Sequence, residues 1–276
     1  MPEAAARLGE RWPRRRAFIT GAGSGLGLAL CTELARAQWT IGRLDRDPVR
    51  LAETAPALQA LGATLHDQAA DVTDDQAFAT ALEAFVASAG GLELMVNNAG
   101  VAAAGRMETT STADWRWVME INVVAVATGT RLALPHLRNA PDGGALVNIA
   151  SAAGFASAPL MGAYNASKAA VIALTETVEA ELGNSRVHAL AVMPTFFQTR
   201  LLEGARAGTR EMAAARRWME RSKFTAEDCA RQILEAVAAE RLHLALPADS
   251  RWLWRFKRLM PSFLVRRLRR QGSRFT

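Results

Sequence analysis

The chain has 276 residues, half of them hydrophobic, with a formal net charge of +6. That length fits one large domain or two small ones, and no Pro/Gly/Ser-rich linker divides it. Two cysteines, Cys31 and Cys229, are too few for a disulfide framework and suit a reducing compartment.

The charge is unevenly placed. Residues 1–16 hold five Arg and two Glu, and residues 251–276 hold eight Arg and one Lys with no acid; the total of +6 therefore leaves −6 for residues 17–250. An acidic body argues against nucleic acid as a partner of the fold. Arg14-Arg15-Arg16 has the charge of a secretory leader, but the apolar stretch after it breaks at once into glycines. With no run of about 18 apolar residues, no bilayer span is expected. The expectation is a cytoplasmic protein, with peripheral membrane contact left open.

Ala17–Thr20 is a short apolar strand candidate that runs into Gly21-Ala22-Gly23-Ser24-Gly25-Leu26-Gly27. Helical apolar spacing follows through Leu28, Leu30, Leu34 and Ala35. Strand, glycine-rich turn and helix is the layout that brings backbone N–H groups and a helix N-terminus up to a pyrophosphate. The glycines read G-x-x-x-G-x-G (Gly21, Gly25, Gly27), and G-x-G-x-x-G cannot be placed on them. A second strand candidate, Trp39–Asp45, ends in an acid, and Asp71-Val72 follows further on. Leu92–Val96 is a third, leading into Asn97-Asn98-Ala99-Gly100. A long helix is expected over Ala113–Arg138, a strand over Ala145–Ala150 ending at Ser151, and a helix over Ala163–Leu182. This alternation predicts an α/β fold, a parallel sheet doubly wound with helices on both faces.

Tyr164, the one tyrosine of the chain, stands four residues before Lys168. On a helix the two share a face, and a neighbouring ammonium lowers a phenol's pKa from about 10. That makes a usable acid or base. Alone, the pair reads first as a core tyrosine with a lysine at its rim. The four histidines, His66, His136, His188 and His243, are scattered without paired spacing, so no metal site is expected.

Taken together, TGxxxGxG at Thr20–Gly27, NNAG at Asn97–Gly100, Ser151 and YxxxK at Tyr164–Lys168 resemble the short-chain dehydrogenase/reductase family over about residues 16–247. The resemblance implies a Rossmann-like domain over 16–250, between a basic N-terminal extension (1–15) and a basic tail (251–276), with a substrate lid near 195–225. It implies Tyr164 as acid/base, Ser151 as holder of the substrate oxygen, and Lys168 as the group that tunes Tyr164 and holds the nicotinamide ribose. Asn122 matches the position that supports a water relay to the lysine. Thr20, Gly21, Ser24, Gly25, Leu26 and Gly27 match the cofactor loop, Asp71 and Val72 the adenine contacts, and Asn98, Ala99 and Gly100 the wall beside the ribose. Pro194 and Thr199 match a P-G-x-x-x-T stretch at the nicotinamide amide, but Thr195 replaces its glycine, which leaves the backbone path after Pro194 open. Subunit contact, as a homodimer or homotetramer, is implied through the two long helices.

Asp45 lies eighteen residues beyond Gly27, close to where an acid would bond a ribose 2′-hydroxyl and repel a 2′-phosphate. NAD is expected over NADP, although Arg43 and Arg46 flank Asp45 and either could approach a phosphate. By the same resemblance the substrate wall comes from Val101, Phe155, Pro159, Met161, Phe196 and Phe197, which suits a hydrophobic secondary alcohol or ketone. An NADPH-dependent ketoreductase and a non-catalytic nucleotide-binding scaffold are the alternatives. In the tail, Trp252, Phe256, Leu259 and Phe263 recur at helical spacing with Arg251, Arg255 and Arg258 on another face. This is the pattern of an interfacial membrane helix, and equally of a helix packed on its own or a neighbouring subunit.

Overall fold

The computed structural model describes residues 3–195, 204–207 and 222–272. It opens with α1 (Glu3–Arg11), then β1 (Arg16–Thr20), α2 (Gly25–Ala35), β2 (Thr40–Asp45), α3 (Pro48–Ala60), β3 (Thr64–Ala69), α4 (Asp75–Ala89) and β4 (Leu94–Asn97). There follow β5 (Ala103–Ala104), α5 (Thr112–Met119), a π turn (Glu120–Val124), α6 (Ala125–Asn139), β6 (Gly144–Ile149), α7 (Ala153–Ala156), α8 (Gly162–Leu182) and β7 (Val187–Pro194). After β8 (Arg206–Ala207) come α9 (Ala226–Ala238), β9 (His243–Leu246), α10 (Ser250–Leu259) and α11 (Pro261–Gly272).

Seven strands form one sheet in the order β3-β2-β1-β4-β6-β7-β9, all neighbours parallel. The chain winds outward from β1 to β3, crosses back to β4, then winds outward to β9. The direction reverses between β1 and β4, which is where a doubly wound sheet opens a crevice at its carboxyl edge. β1 is buried throughout, as a strand covered on both faces must be. Ile19 joins Leu30, Leu34, Val147 and Ile233 in the core on one face, and Phe18 joins Phe78, Phe85, Met95 and Leu146 on the other.

Two basic residues that look solvated in the sequence are interior. Arg16 pairs with Glu93 of the β4 approach, both almost fully buried. Arg43 of β2 has no exposed side chain and donates to Asp67, to Thr54 Oγ1 at 2.8 Å and to the Leu51 carbonyl at 2.9 Å. The N-terminal residues also fold onto the domain. Leu8 and Trp12 are buried, Trp12 meets Trp39 edge-on at 6.5 Å, and its indole N–H donates to the Asp142 carbonyl at 3.2 Å.

The stretch Thr112–Asn139 is long and apolar enough to cross a bilayer by length and composition, contrary to the expectation of no such run, but half of it is buried inside the fold. Its inner face covers the sheet, so it reads as a core helix interrupted by the π turn.

Candidate active site

The carboxyl ends of β1, β2, β4, β6 and β7 bring the motif residues to one edge of the sheet. Thr20, at the end of β1, accepts the N–H groups of Asn98 and Ala99 on its Oγ1, both at 3.0 Å. Asn98 returns its side-chain amide to the carbonyls of Thr20 (2.9 Å) and Gly21 (3.1 Å). The glycine loop is thereby stitched to the turn after β4. Gly21 holds φ +64°, a left-handed conformation that glycine adopts without a Cβ clash. At Gly27 a Cβ would stand 2.2 Å from the Gly21 carbonyl oxygen, so a side chain there would push the loop apart.

Ser24 caps α2 without a side-chain bond to its first turn. The N–H groups of that turn, at Gly25, Leu26 and Gly27, lack intrahelical acceptors and suit an anion. Asp45, at the end of β2, accepts the N–H of Gly23 at 2.9 Å and that of Asp47 at 3.1 Å. A Cβ on Gly23 would approach the Asp45 carboxylate to 3.0 Å, so loop and acid sit in contact. Of the two arginines that flank Asp45, Arg43 is removed as a phosphate ligand by its buried bonds to Asp67, Thr54 and Leu51. Arg46 is exposed. Asp71 turns its carboxylate onto Thr73, at 2.9 Å to the N–H and 2.8 Å to the hydroxyl, while Val72 lines a recess with Thr20, Ala99 and Ile121. Uncapped helix N–H groups, a glycine-rich loop and an adjacent acid together fit an adenosine diphosphate moiety.

Beyond β6 lies the second half of the site. On α8, Tyr164, Ser167, Lys168, Val171, Thr175, Val178 and Leu182 are all buried, one helical stripe turned to the sheet. Lys168 Nζ donates to the Ile149 carbonyl at 2.8 Å and lies 5.9 Å from the Tyr164 ring centroid. Ser151 Oγ accepts the Ala153 N–H at 3.1 Å and donates to the Pro194 carbonyl at 3.3 Å, and it is near enough to the Tyr164 phenol to act on it. Asn122 sits in the π turn, fully buried. Its amide brackets Val101, accepting the N–H at 2.8 Å and donating to the carbonyl at 2.9 Å, and donates to Ser167 Oγ at 3.1 Å. A Cβ on Gly100 would lie 3.1 Å from Asn122 Oδ1 and 3.4 Å from Lys168 Nζ, so the backbone passes close to both atoms. Ser167, not singled out in the sequence, holds this arrangement together: it also donates to the Tyr164 carbonyl at 2.8 Å.

The electrostatics differ from the sequence expectation. The Tyr164 phenol is raised above its ordinary pKa because burial penalises the phenolate; the Ser151 hydroxyl only partly offsets this, and no lowering by Lys168 contributes. The lysine itself is pushed down from 10.5 to about 8 by burial. Desolvation sets the direction of both shifts.

The structure also bears on three further expected residues. Phe155, expected on the substrate wall, is buried with Val171, Met193 and Ala245 in a small core cluster, because α7 turns it inward beneath α10. Thr195, in place of glycine, takes an ordinary backbone conformation and donates its N–H to the Leu246 carbonyl at 2.8 Å, so the residue just after β7 stays bonded to β9 without the glycine. Met161 stands half-buried just before α8, bridged to Gly105. Phe196, Phe197, Thr199 and most of the lid near 195–225 lie outside the described residues.

The short chain dehydrogenase family model matches residues 15–210. The chain is 34% identical over 189 residues to the 2-(R)-hydroxypropyl-CoM dehydrogenase of Xanthobacter autotrophicus, covering 67% of this chain and 75% of that one. It is 29% identical over 212 residues to the NADP-dependent (R)-specific alcohol dehydrogenase of Lentilactobacillus kefiri, covering 75% and 82%. Three other curated relatives, 31–36% identical, are spanned over only 60–65% of their length. A short chain dehydrogenase/reductase from Burkholderia phymatum in complex with NAD superposes with a TM-score of 0.83 at 33% identity, over 88% of this chain and 92% of that one.

Proposed function

Since this chain belongs to the short-chain dehydrogenase family, we propose that it is an oxidoreductase that interconverts a hydrophobic secondary alcohol and its ketone with NAD. The observation that carries this reading is the burial of Ser151, Tyr164 and Lys168 together, with Lys168 Nζ 5.9 Å from the Tyr164 ring, on the same sheet edge as the glycine loop.

When bound, the nicotinamide supplies or accepts the hydride. The protein's own part is positional and protic. Ser151 Oγ, anchored between Ala153 and Pro194, holds the substrate oxygen and stabilises charge developing on it. Tyr164 Oη gives the proton during reduction and takes it during oxidation; burial favours its neutral, proton-bearing form. Lys168 spends one of its three donors on Ile149 and has the others for ribose hydroxyls. Asn122 is a positioning residue, since its amide is committed to Val101 and Ser167. Thr20, Gly21, Ser24, Gly25, Leu26 and Gly27 hold the pyrophosphate. Asp71, Val72, Asn98, Ala99, Gly100 and Pro194 complete the cofactor walls, and Asp45 selects the 2′-hydroxyl. The alcohol class is supported by relatives named for alcohol substrates.

Replacing Tyr164 with Phe tests the reading. Turnover of a secondary alcohol should fall about 10²–10⁴-fold while NADH affinity, read by calorimetry, stays near that of the parent. Turnover that survives would remove Tyr164 from the role. A second reading, NADPH-dependent ketone reduction, draws on exposed Arg46 beside Asp45 and on the NADP-dependent relative. Tighter binding of NADPH than of NADH would select it.

A further inference from the structure

The α10–α11 pair has two unlike sides. Inward, Leu253 and Trp254 pack against the cluster that holds Ala152 and Phe155, with Trp254 4.8 Å from the His243 ring, and Leu264 is buried. Outward, Trp252 is 73% exposed and Leu259 82%, and Met260, Phe263 and Val265 are half exposed. Phe256 and Phe263 meet edge-on at 5.5 Å across the junction, which joins the two helices into one apolar ridge.

Cations flank that ridge. Arg251, Arg255, Arg258, Arg266, Arg267 and Arg269 are exposed, and among the described residues none of them forms an ion pair. Arg255 lies over the Trp252 ring at 5.8 Å and Arg258 over Trp254 at 5.1 Å, so charge and aromatic surface reach solvent together. Residues 251–276 contain no acid.

We propose that this face docks the protein on an anionic lipid surface. Exposed Trp, Phe and Leu would enter the headgroup boundary while the arginines meet lipid phosphate and carboxylate. A homotypic contact through the same face is opposed by charge, because it would set nine positive charges against nine. The acidic body behind the tail would be held off such a surface, which leaves the tail as the point of contact. This docking does not depend on the redox reading. It places α7, which directly follows Ser151, one helix thickness from the bilayer.

The test is flotation of the full chain with phosphatidylcholine vesicles, with and without phosphatidylserine. The protein should rise only with the anionic vesicles and be released by added salt. A full-length Leu259→Glu/Phe263→Glu variant, altered at exposed positions, should keep its melting temperature and lose about tenfold or more of its vesicle affinity. Protein that stays at the bottom with anionic vesicles overturns the proposal, as does a variant that floats as well as the parent. If the parent fails to float and the variant sediments as a smaller species, a second copy of the chain occupies the face instead.

Discussion

The carboxylate of Asp45 accepts the backbone N–H of Gly23 at 2.9 Å, binding the end of the second strand to the glycine loop across 22 residues of chain. This bond fixes both the acid and the loop before any nucleotide arrives. The other oxygen accepts the Asp47 N–H at 3.1 Å, and in the proposed function the carboxylate so held meets a ribose hydroxyl.

Asp45→Ser removes the acceptor and the negative charge together. NADH affinity should weaken about 10–100-fold, the equivalent of about 1.5–3 kcal/mol for a hydrogen bond to a charged group. NADPH affinity should hold or rise as repulsion of the 2′-phosphate disappears. Calorimetric titration with each nucleotide reads both numbers. An unchanged NADH/NADPH ratio would show that Asp45 does not select the cofactor.

Stability of the nucleotide-free protein should respond to the buried lysine. Its pKa falls from 10.5 to about 8 on folding, so below about pH 8 native and unfolded states both carry the charge and the full burial cost stands. Above pH 8 the native lysine is neutral while the unfolded one still binds its proton, and stability rises with pH until about 10.5. Relative to Lys168→Met, the parent should therefore gain up to about 3 kcal/mol over that window. Tyr164, shifted upward, acts oppositely: its unfolded phenol ionises first, and stability drops once pH exceeds about 10. Urea titrations at several pH values check the sign; a parent-to-variant difference that stays flat would mean Lys168 keeps its charge.

The Arg16–Glu93 pair is almost fully buried, and Arg16 also donates to the Gly90 carbonyl. Cutting either partner strands a charge, so Glu93→Ala or Arg16→Ala should cost about 3–5 kcal/mol. The double replacement Arg16→Met/Glu93→Leu should recover most of that loss, since no lone charge remains. Chemical denaturation of the three variants reads the cycle. Equal losses in single and double variants would show that side-chain volume, not charge, is what matters there.

Much of the fold was legible because its punctuation is local. The strand candidates at 17–20, 39–45, 92–96 and 145–150 lie within two residues of β1, β2, β4 and β6, since each is an apolar run stopped by Gly, Asp, Asn or Ser. The i, i+4 spacing of Tyr164 and Lys168 was likewise enough to place both on the inner face of α8. What escaped depends on three-dimensional burial. Arg16 and Arg43 look solvated until Glu93 and Asp67 arrive from distant strands. The direction of the tyrosine shift was misjudged because adjacency to a cation is visible in sequence and desolvation is not. Phe155 follows Ser151 closely enough to suggest a cleft wall, yet a short helix rotates it into the interior. The π turn around Asn122 has no sequence mark at all, for one extra residue per turn leaves composition unchanged.

β1 has its two neighbours at very different distances along the chain. β2 follows within a few dozen residues, but Ala17 meets Leu94 of β4 only after more than a third of the polypeptide has been made. On the ribosome, the nascent β1–β2–β3 unit therefore carries an open edge at Ala17-Phe18-Ile19, the most apolar backbone it owns, until β4 emerges to close it. Translation speed through residues 70–97 sets how long that edge is available to chaperones or to another nascent chain.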